Sequence, residues 1–379
     1  MNTPENDDLR AGRSQVRQGW LIAFVILAAS ILRGILLFGT ALVPGTNGGY
    51  YPVQARALLA HGSLGIPDLP LLFFVQAALA SIVQWLSGRD LDPCILFSVK
   101  LTDSILPALV GLPVALLVRR WAKTAGAPAW TAPVAAAVVT LSAPILGMVG
   151  NFEKNSLGLL WLCLLLLFIH LWLSRPTLPN AAGVLCFWGL AAVTHIGVFG
   201  ASVMFGGLAI AFYLLLQRGP GWRVTWPLLA AALAVGAVAA GIVLWKFDAV
   251  RIERLAAALI HPADYLAGGN MGPAGPAPFL FVLLQGGPPA VFAVASIAAL
   301  LSCWRRRAVL PPADICVAGA CAVGVLVMTG PWVQGDKAPR FYLIAIAPAF
   351  MAVAFALIHC RHRRLRAGLA ILGAACMIG

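Results

Sequence analysis

The chain of 379 residues is 61% hydrophobic and 10% charged, with a mean hydropathy of +0.91, where a soluble domain carries about 25% charged residues. It has 26 Lys and Arg against 13 Asp and Glu, a net charge of +13, and the basic residues fall in short clusters between apolar runs, which is the pattern of membrane topology. These values exclude a soluble enzyme, a disordered chain, a disulfide scaffold and a nucleic-acid-binding protein, and confine any chemistry to short loops.

About 20 apolar residues cross a bilayer as a helix. On that ruler spans fall near 19–43, 97–118, 131–149, 156–174, 181–197, 199–217, 226–246, 279–303, 314–331 and 341–358. The first run is too long for the apolar core of a cleaved leader and no small-x-small site follows it, so it reads as an uncleaved span. The last apolar stretch, 368–379, is too short for a full crossing, and we expect a C-terminal part to be missing. The eight cysteines show no CxxC spacing and lie mostly inside apolar runs, where a thiol behaves as a small hydrophobe.

The segment 69–86 is long enough to span, and charge decides against it. With Arg10, Arg13 and Arg17 inside, a non-spanning 69–86 places Arg119, Arg120, Lys123, Arg175, the 305–307 arginines and the 361–366 arginines inside, in keeping with the positive-inside rule. A spanning 69–86 reverses the later loops and puts the basic excess outside. The expected fold is therefore all-α: one polytopic transmembrane bundle over 1–379, with about 11 spans, a cytoplasmic N-terminus and juxtamembrane helices in the first long outer loop, 44–96. A second long outer loop, 247–278, has helical apolar spacing at Val250, Leu255, Leu259 and Ile260 and then a Gly/Pro stretch, and reads as a lid or a linker.

Ionisable groups in hydrocarbon need a reason. Arg33 comes roughly 21 Å into the first span at 1.5 Å per residue, placed to snorkel outward or to hold an anionic head group. Lys100 and Asp103 are three apart on one helix face and suit a mutual ion pair. Asn47 and the tyrosines Tyr50 and Tyr51 lie in the first outer loop, with Asp68 beyond them. Glu153 and Lys154 follow the third span; an acid there suits a general base or a metal ligand, or a salt bridge to a neighbour. Asp336, Lys337 and Arg340 crowd the outer edge of the tenth span, where Lys and Arg suit a phosphate or serve as interfacial charges. His195 falls at an outer turn, while His170 and His359 flank inner ends. No HxxH, HExxH, GxSxG or Walker pattern occurs.

The order of these features resembles the GT-C type of polytopic membrane glycosyltransferase, which includes protein O-mannosyltransferases and lipid A aminoarabinose transferases. The resemblance rests on Leu32–Arg33, the tyrosine pair, Ala57 to Gly62, the apolar helix from Pro70 and Leu71, the Asn151 to Asn155 acid motif, Thr194–His195, and Arg340 to Pro348. It covers most of the chain, with each motif weak alone. It implies transfer of a sugar from a polyprenyl-phosphate donor to an unnamed acceptor on the outer side of the bilayer. In that family an acid of the first outer loop activates the acceptor or helps bind metal, so a divalent cation is a candidate cofactor. Here the matching position is Asn47. An amide cannot take a proton at neutral pH, so Glu153 or Asp68 has the role, or the chain is a divergent or inactive member. The second outer acid maps onto Glu153 and the late arginine onto Arg340, as a phosphate ligand. Tyr50, Tyr51, Arg33, Lys154, His195 and Lys337 complete the candidate substrate-binding set.

Two other classes stand beside this reading. A transporter or flippase of a lipid-linked anionic substrate would favour internal repeats, and the loop lengths on the two sides of the midpoint do not match. A non-catalytic membrane subunit would be consistent with Asn47. An Ala-, Gly- and Arg-rich composition suggests a GC-rich bacterial source, hence an inner membrane.

Overall fold

The structure, a computed structural model, describes residues 4–45, 47–216, 309–330, 333 and 337–359, with isolated positions between 238 and 304 and at 366–368 and 370; side chains are described from Gln15 onward but not at 337–339. The described chain is helical and no strand occurs among the described residues. A helix satisfies its own backbone where water is absent, which suits a chain this apolar.

The described helices in chain order are α1 (Pro4–Phe38), α2 (Tyr50–His61), α3 (Leu71–Ser87), α4 (Leu91–Leu109), α5 (Gly111–Ala125), α6 (Thr131–Leu141), α7 (Ala143–Leu146), α8 (Glu153–Ser174), α9 (Leu178–Thr194), α10 (Ile196–Leu216), α11 (Pro312–Thr329) and α12 (Lys337–His359). Six segments are long and apolar enough to cross a membrane: Gln15–Phe38, Leu91–Ala125 through α4 and α5, Glu153–Ser174, Ile196–Leu216, Pro312–Thr329 and Arg340–His359. Helices α3, α6 and α9 are apolar but shorter. The two helices expected in 44–96 are α2 and α3. The spans expected near 226–246 and 279–303, the 247–278 loop and the 368–379 stretch lie almost wholly outside the described residues.

Two spans differ from expectation. The one placed at 97–118 begins at Leu91 and runs to Ala125, interrupted at Val110 between α4 and α5. Pro107 lies inside α4 and Pro113 in the first turn of α5, and each removes a backbone donor. Gly111 permits the break to sit close to α6, because a Cβ there would stand 2.8 Å from Thr140 Cγ2. The span expected at 131–149 is divided at Ser142, whose ψ of 143° is extended, and α7 restarts with a proline in its first turn, a position where the missing N–H is harmless.

Helix α8 is the centre of the bundle and touches α4, α5, α9, α10, α11 and α12. Helix α1 lies at the edge. It buries Ile22, Ala29, Arg33 and Leu37 and exposes Trp20, Phe24, Leu27, Ile31 and Ile35, two stripes of helical spacing. An exposed apolar stripe of that size calls for an apolar surrounding, which lipid supplies.

The attachment of α1 to α4 is polar. Arg33 Nη2 donates to Asp103 Oδ1 at 3.1 Å, Nε to the Asp103 carbonyl at 3.0 Å and Nη1 to the Ile145 carbonyl at 2.7 Å. Both side chains are 0% exposed. Arg33 is therefore turned inward, where it ties α1 to α4 and α7. The expected Lys100–Asp103 pair does not form. Lys100 Nζ instead donates to the carbonyls of Thr40, at 2.5 Å, and Ala41, at 3.2 Å, just beyond the C-terminus of α1, where a cation is favoured.

At the opposite end of α8, His170 Nε2 lies 2.5 Å from Asp314 Oδ1 and Thr124 Oγ1 donates to Asp314 Oδ2 at 3.2 Å. Asp314 thus joins α11 to α8 through His170 and to α5 through Thr124, and His170 is an interior residue, not the flanking group expected of it. Removing one partner of a buried ion pair costs about 3–5 kcal/mol, while replacing both by apolar groups of similar volume is often neutral. Arg33→Ala should lower thermal stability in detergent by that amount, and Arg33→Met with Asp103→Leu should recover most of it. Equal destabilisation by the single and the double variant, read by thermal unfolding, would contradict this account of the pair.

Candidate functional site

The helix ends nearest the α1–α2 loop carry a polar cluster. Its floor is Asp103, whose Oδ2 accepts the Gly150 N–H at 2.7 Å. Gly150 has φ +70°, and a Cβ there would collide with the Pro44 carbonyl oxygen, so the turn leading into α8 passes directly against the loop that follows α1. Asn47 Nδ2 donates to the Asn151 carbonyl at 2.9 Å and closes the same contact from above. These bonds bring the first loop against the start of α8.

Glu153 opens α8, where a negative group is favoured by the exposed N–H groups of a helix N-terminus. It is 2% exposed. Its Oε2 accepts from Gln76 Nε2 at 2.5 Å, and the same nitrogen lies 3.2 Å from Thr102 Oγ1. Its other oxygen, Oε1, has no hydrogen-bond partner among the described residues.

The next layer is held by Asp68. Lys154 Nζ lies 2.5 Å from Asp68 Oδ1, both side chains less than a tenth exposed, and the Leu69 N–H donates to that same oxygen at 2.8 Å. Tyr50 donates its hydroxyl to Asp68 Oδ2 at 2.6 Å. Gln54 donates to the Tyr50 oxygen at 3.1 Å and exchanges two hydrogen bonds with the backbone of Ile66, which fixes the strap between α2 and α3. Lys154 Nζ also stands 5.4 Å from the centre of the Phe73 ring, and Phe73 meets both Tyr50 and Tyr51. The Tyr51 phenol faces the backbone N–H groups of Lys154 and Glu153. Burial first, and then the neighbouring Glu153 charge, raise its pKa well above the ordinary value, so it remains a neutral hydroxyl at any physiological pH.

Glu153, Lys154, Asp68, Tyr50 and Tyr51 are therefore gathered in one place, with Asn47 at the rim, and Arg33 beneath them as a structural tie. His195 forms the bend between α9 and α10, where its Nδ1 accepts the Val198 N–H at 3.3 Å, a backbone-capping role. Arg340 is exposed in the first turn of α12, and its neighbour Phe341 lies beside Gly197 and the His195 bend. The Lys337 side chain and Asp336 lie outside the described residues.

Sequence reasoning missed Gln76, Thr102 and Gln54. The available signal was an uncharged amide inside the apolar run 71–86, since a buried amide needs partners; nothing local separates Gln76 from Gln84 on the same helix. Among the described residues no three carboxylate, imidazole or thiol groups stand together as a metal-binding set. The carboxylates here are held by Arg33, Lys154 and Gln76, and the arrangement does not fit a metal centre built from them alone.

At the level of sequence, no family model and no curated protein matches the chain. Among solved structures, the fold is similar to that of ArnT from Cupriavidus metallidurans, determined bound to undecaprenyl phosphate, with a TM-score of 0.58 over 94% of this chain and 19% identity. The chain spans 64% of the length of that structure. The fold is thus an all-α, polytopic one similar to that of ArnT, in keeping with the helical bundle expected from the sequence.

The Gly150 turn is the geometric hinge of the cluster. Gly150→Ala forces a left-handed residue and a backbone clash, for which about 1–3 kcal/mol is expected. Thermal unfolding should register that loss; a variant as stable as the parent would contradict the placement of Pro44 against Gly150.

Proposed function

We propose that the protein is a membrane glycosyltransferase that moves a sugar from a polyprenyl-phosphate donor to an acceptor at the α2–α3–α8 end of the bundle, on the outer face of the membrane. The observation that carries the reading is the buried Glu153 carboxylate with one uncommitted oxygen, placed directly beside a buried lysine at a helix N-terminus, within an ArnT-like fold. A lipid-linked substrate reaches such a site laterally. The undecaprenyl phosphate bound in the ArnT structure supports the donor class.

Chemically the step needs one base and one anion site. The acceptor O–H gives its proton to Glu153 Oε1 while its oxygen forms a bond to the anomeric carbon; the bond from that carbon to the phosphate oxygen breaks, and the electron pair leaves with polyprenyl phosphate. Configuration inverts. Asp68 is the weaker base, because Oδ1 is held by Lys154 and the Leu69 N–H and Oδ2 by the Tyr50 hydroxyl. Asn47 takes no proton and serves to hold the Asn151 turn. Lys154, released from Asp68 when a phosphate arrives, supplies the positive charge for the leaving group, with Tyr50 and Tyr51 as donors beside it and with Arg340 and Lys337 drawn in from α12.

General-base catalysis contributes about 10²- to 10⁴-fold. In purified protein given a short-chain polyprenyl-phosphate sugar and acceptor, Glu153→Gln should lower release of polyprenyl phosphate by that factor, while Lys154→Ala or Arg340→Ala weakens donor binding. Turnover at the parental rate in Glu153→Gln would remove the base assignment. Donor binding with no release across a broad acceptor panel would turn the reading toward a carrier.

A further inference from the structure

We infer that Gln76 is a positioning residue: with Thr102 behind it, it holds Glu153 Oε2 so that Oε1 is the oxygen left for the acceptor. The inference rests on the reading of Glu153 as the base.

Gln76 lies on the face of α3 that buries Leu72, Phe73, Ala77 and Ala80, and is itself 0% exposed, while Phe74, Ile82, Trp85 and Leu86 occupy the exposed face. A leucine or methionine would fill that place without the penalty of burying an amide, so the amide calls for a reason. Its orientation is determined by its partners. The Thr102 hydroxyl already gives its proton to the carbonyls of Ser98 and Val99, at 3.0 and 2.9 Å, and so meets Gln76 as an acceptor. Glu153 in its ionised form, the one that acts as base, also only accepts. Both demand the NH₂ end of the amide, and a flipped Gln76 would set its carbonyl oxygen against the carboxylate. The result is a network that diverges from the Gln76 amide, which donates to Glu153 Oε2 on one side and, on the other, to Thr102, which in turn donates to the α4 backbone. It leaves Glu153 one committed and one uncommitted oxygen, and it links α3 to the first residue of α8. The Lys154–Phe73 contact is a second link between the same two helices, so the pose of α3 governs both the carboxylate and its neighbouring cation.

Gln76→Leu, Gln76→His and Thr102→Val separate this role from packing. A misplaced catalytic group costs about 10²-fold when it shifts by 1 Å, so Gln76→Leu should lower kcat about 10- to 100-fold, with donor binding and the acceptor KM within about two-fold of the parent. Its thermal stability should be unchanged or higher, since an apolar side chain replaces a buried amide. Gln76→His places an Nε2–H close to the amide nitrogen's position and should restore kcat to within about five-fold; Thr102→Val should lower it about three- to ten-fold. A kcat unchanged in Gln76→Leu, in a protein where Glu153→Gln is inactive, would overturn the inference and leave the base in place. Full activity of Glu153→Gln would instead overturn the base. A readout independent of turnover uses glutamate-labelled infrared spectra: Gln76→Leu should move a carboxyl band that is missing in Glu153→Gln, and an unmoved band would overturn the contact.

Discussion

A charge persists inside an apolar bundle only where the polar atoms around it are answered, and the Arg33–Asp103 pair meets that condition with unusual economy. The guanidinium serves one carboxylate oxygen and two backbone carbonyls, and the second carboxylate oxygen serves the Gly150 N–H. One pair of side chains therefore ties α1, α4, α7 and the turn before α8 at a single point. A pair of this kind adds little net stability over an apolar substitute. Its value here is geometric, because the residue three positions after Gly150 is Glu153, so the pair helps to set the start of α8 relative to α1.

From that point the layers of the site follow in order. The Gly150 turn sets the first residue of α8, the Gln76 amide of α3 holds the Glu153 carboxylate, and Lys154 reaches Asp68 and the Phe73 ring of the same α3. Helices α2 and α3 and the strap between them thus supply Tyr50, Tyr51, Asp68 and Gln76, while α8 supplies Glu153 and Lys154. The division suits a site at the edge of a bilayer.

Much of this was legible in the sequence, and the reason is the scarcity of charge. In a chain that is 10% charged, Asp68, Glu153 and Lys154 had few places to go, and the tyrosine pair stood beside them. Spans were legible because hydropathy acts over twenty residues and survives local detail. What failed was pairing. Lys100 and Asp103 share a helix face, yet Asp103 is taken by Arg33, 70 residues away in sequence, and His170 looked like a flanking residue because its partner Asp314 is 144 residues distant. Uncharged polar residues were the least legible of all. Thr140 and Ser81 simply bond to carbonyls of their own helices, whereas Thr102 does that and also receives Gln76; the sequence around each is alike, and the difference is made by a neighbour from another helix.

The most direct test of the account is a cryo-electron microscopy structure of the protein with a short-chain polyprenyl phosphate. The account predicts phosphate density at the start of α8, within hydrogen-bond reach of Lys154, with Asp68 displaced from it. Phosphate bound instead at the opposite end, among Arg119, Arg120 and Arg175, would contradict it.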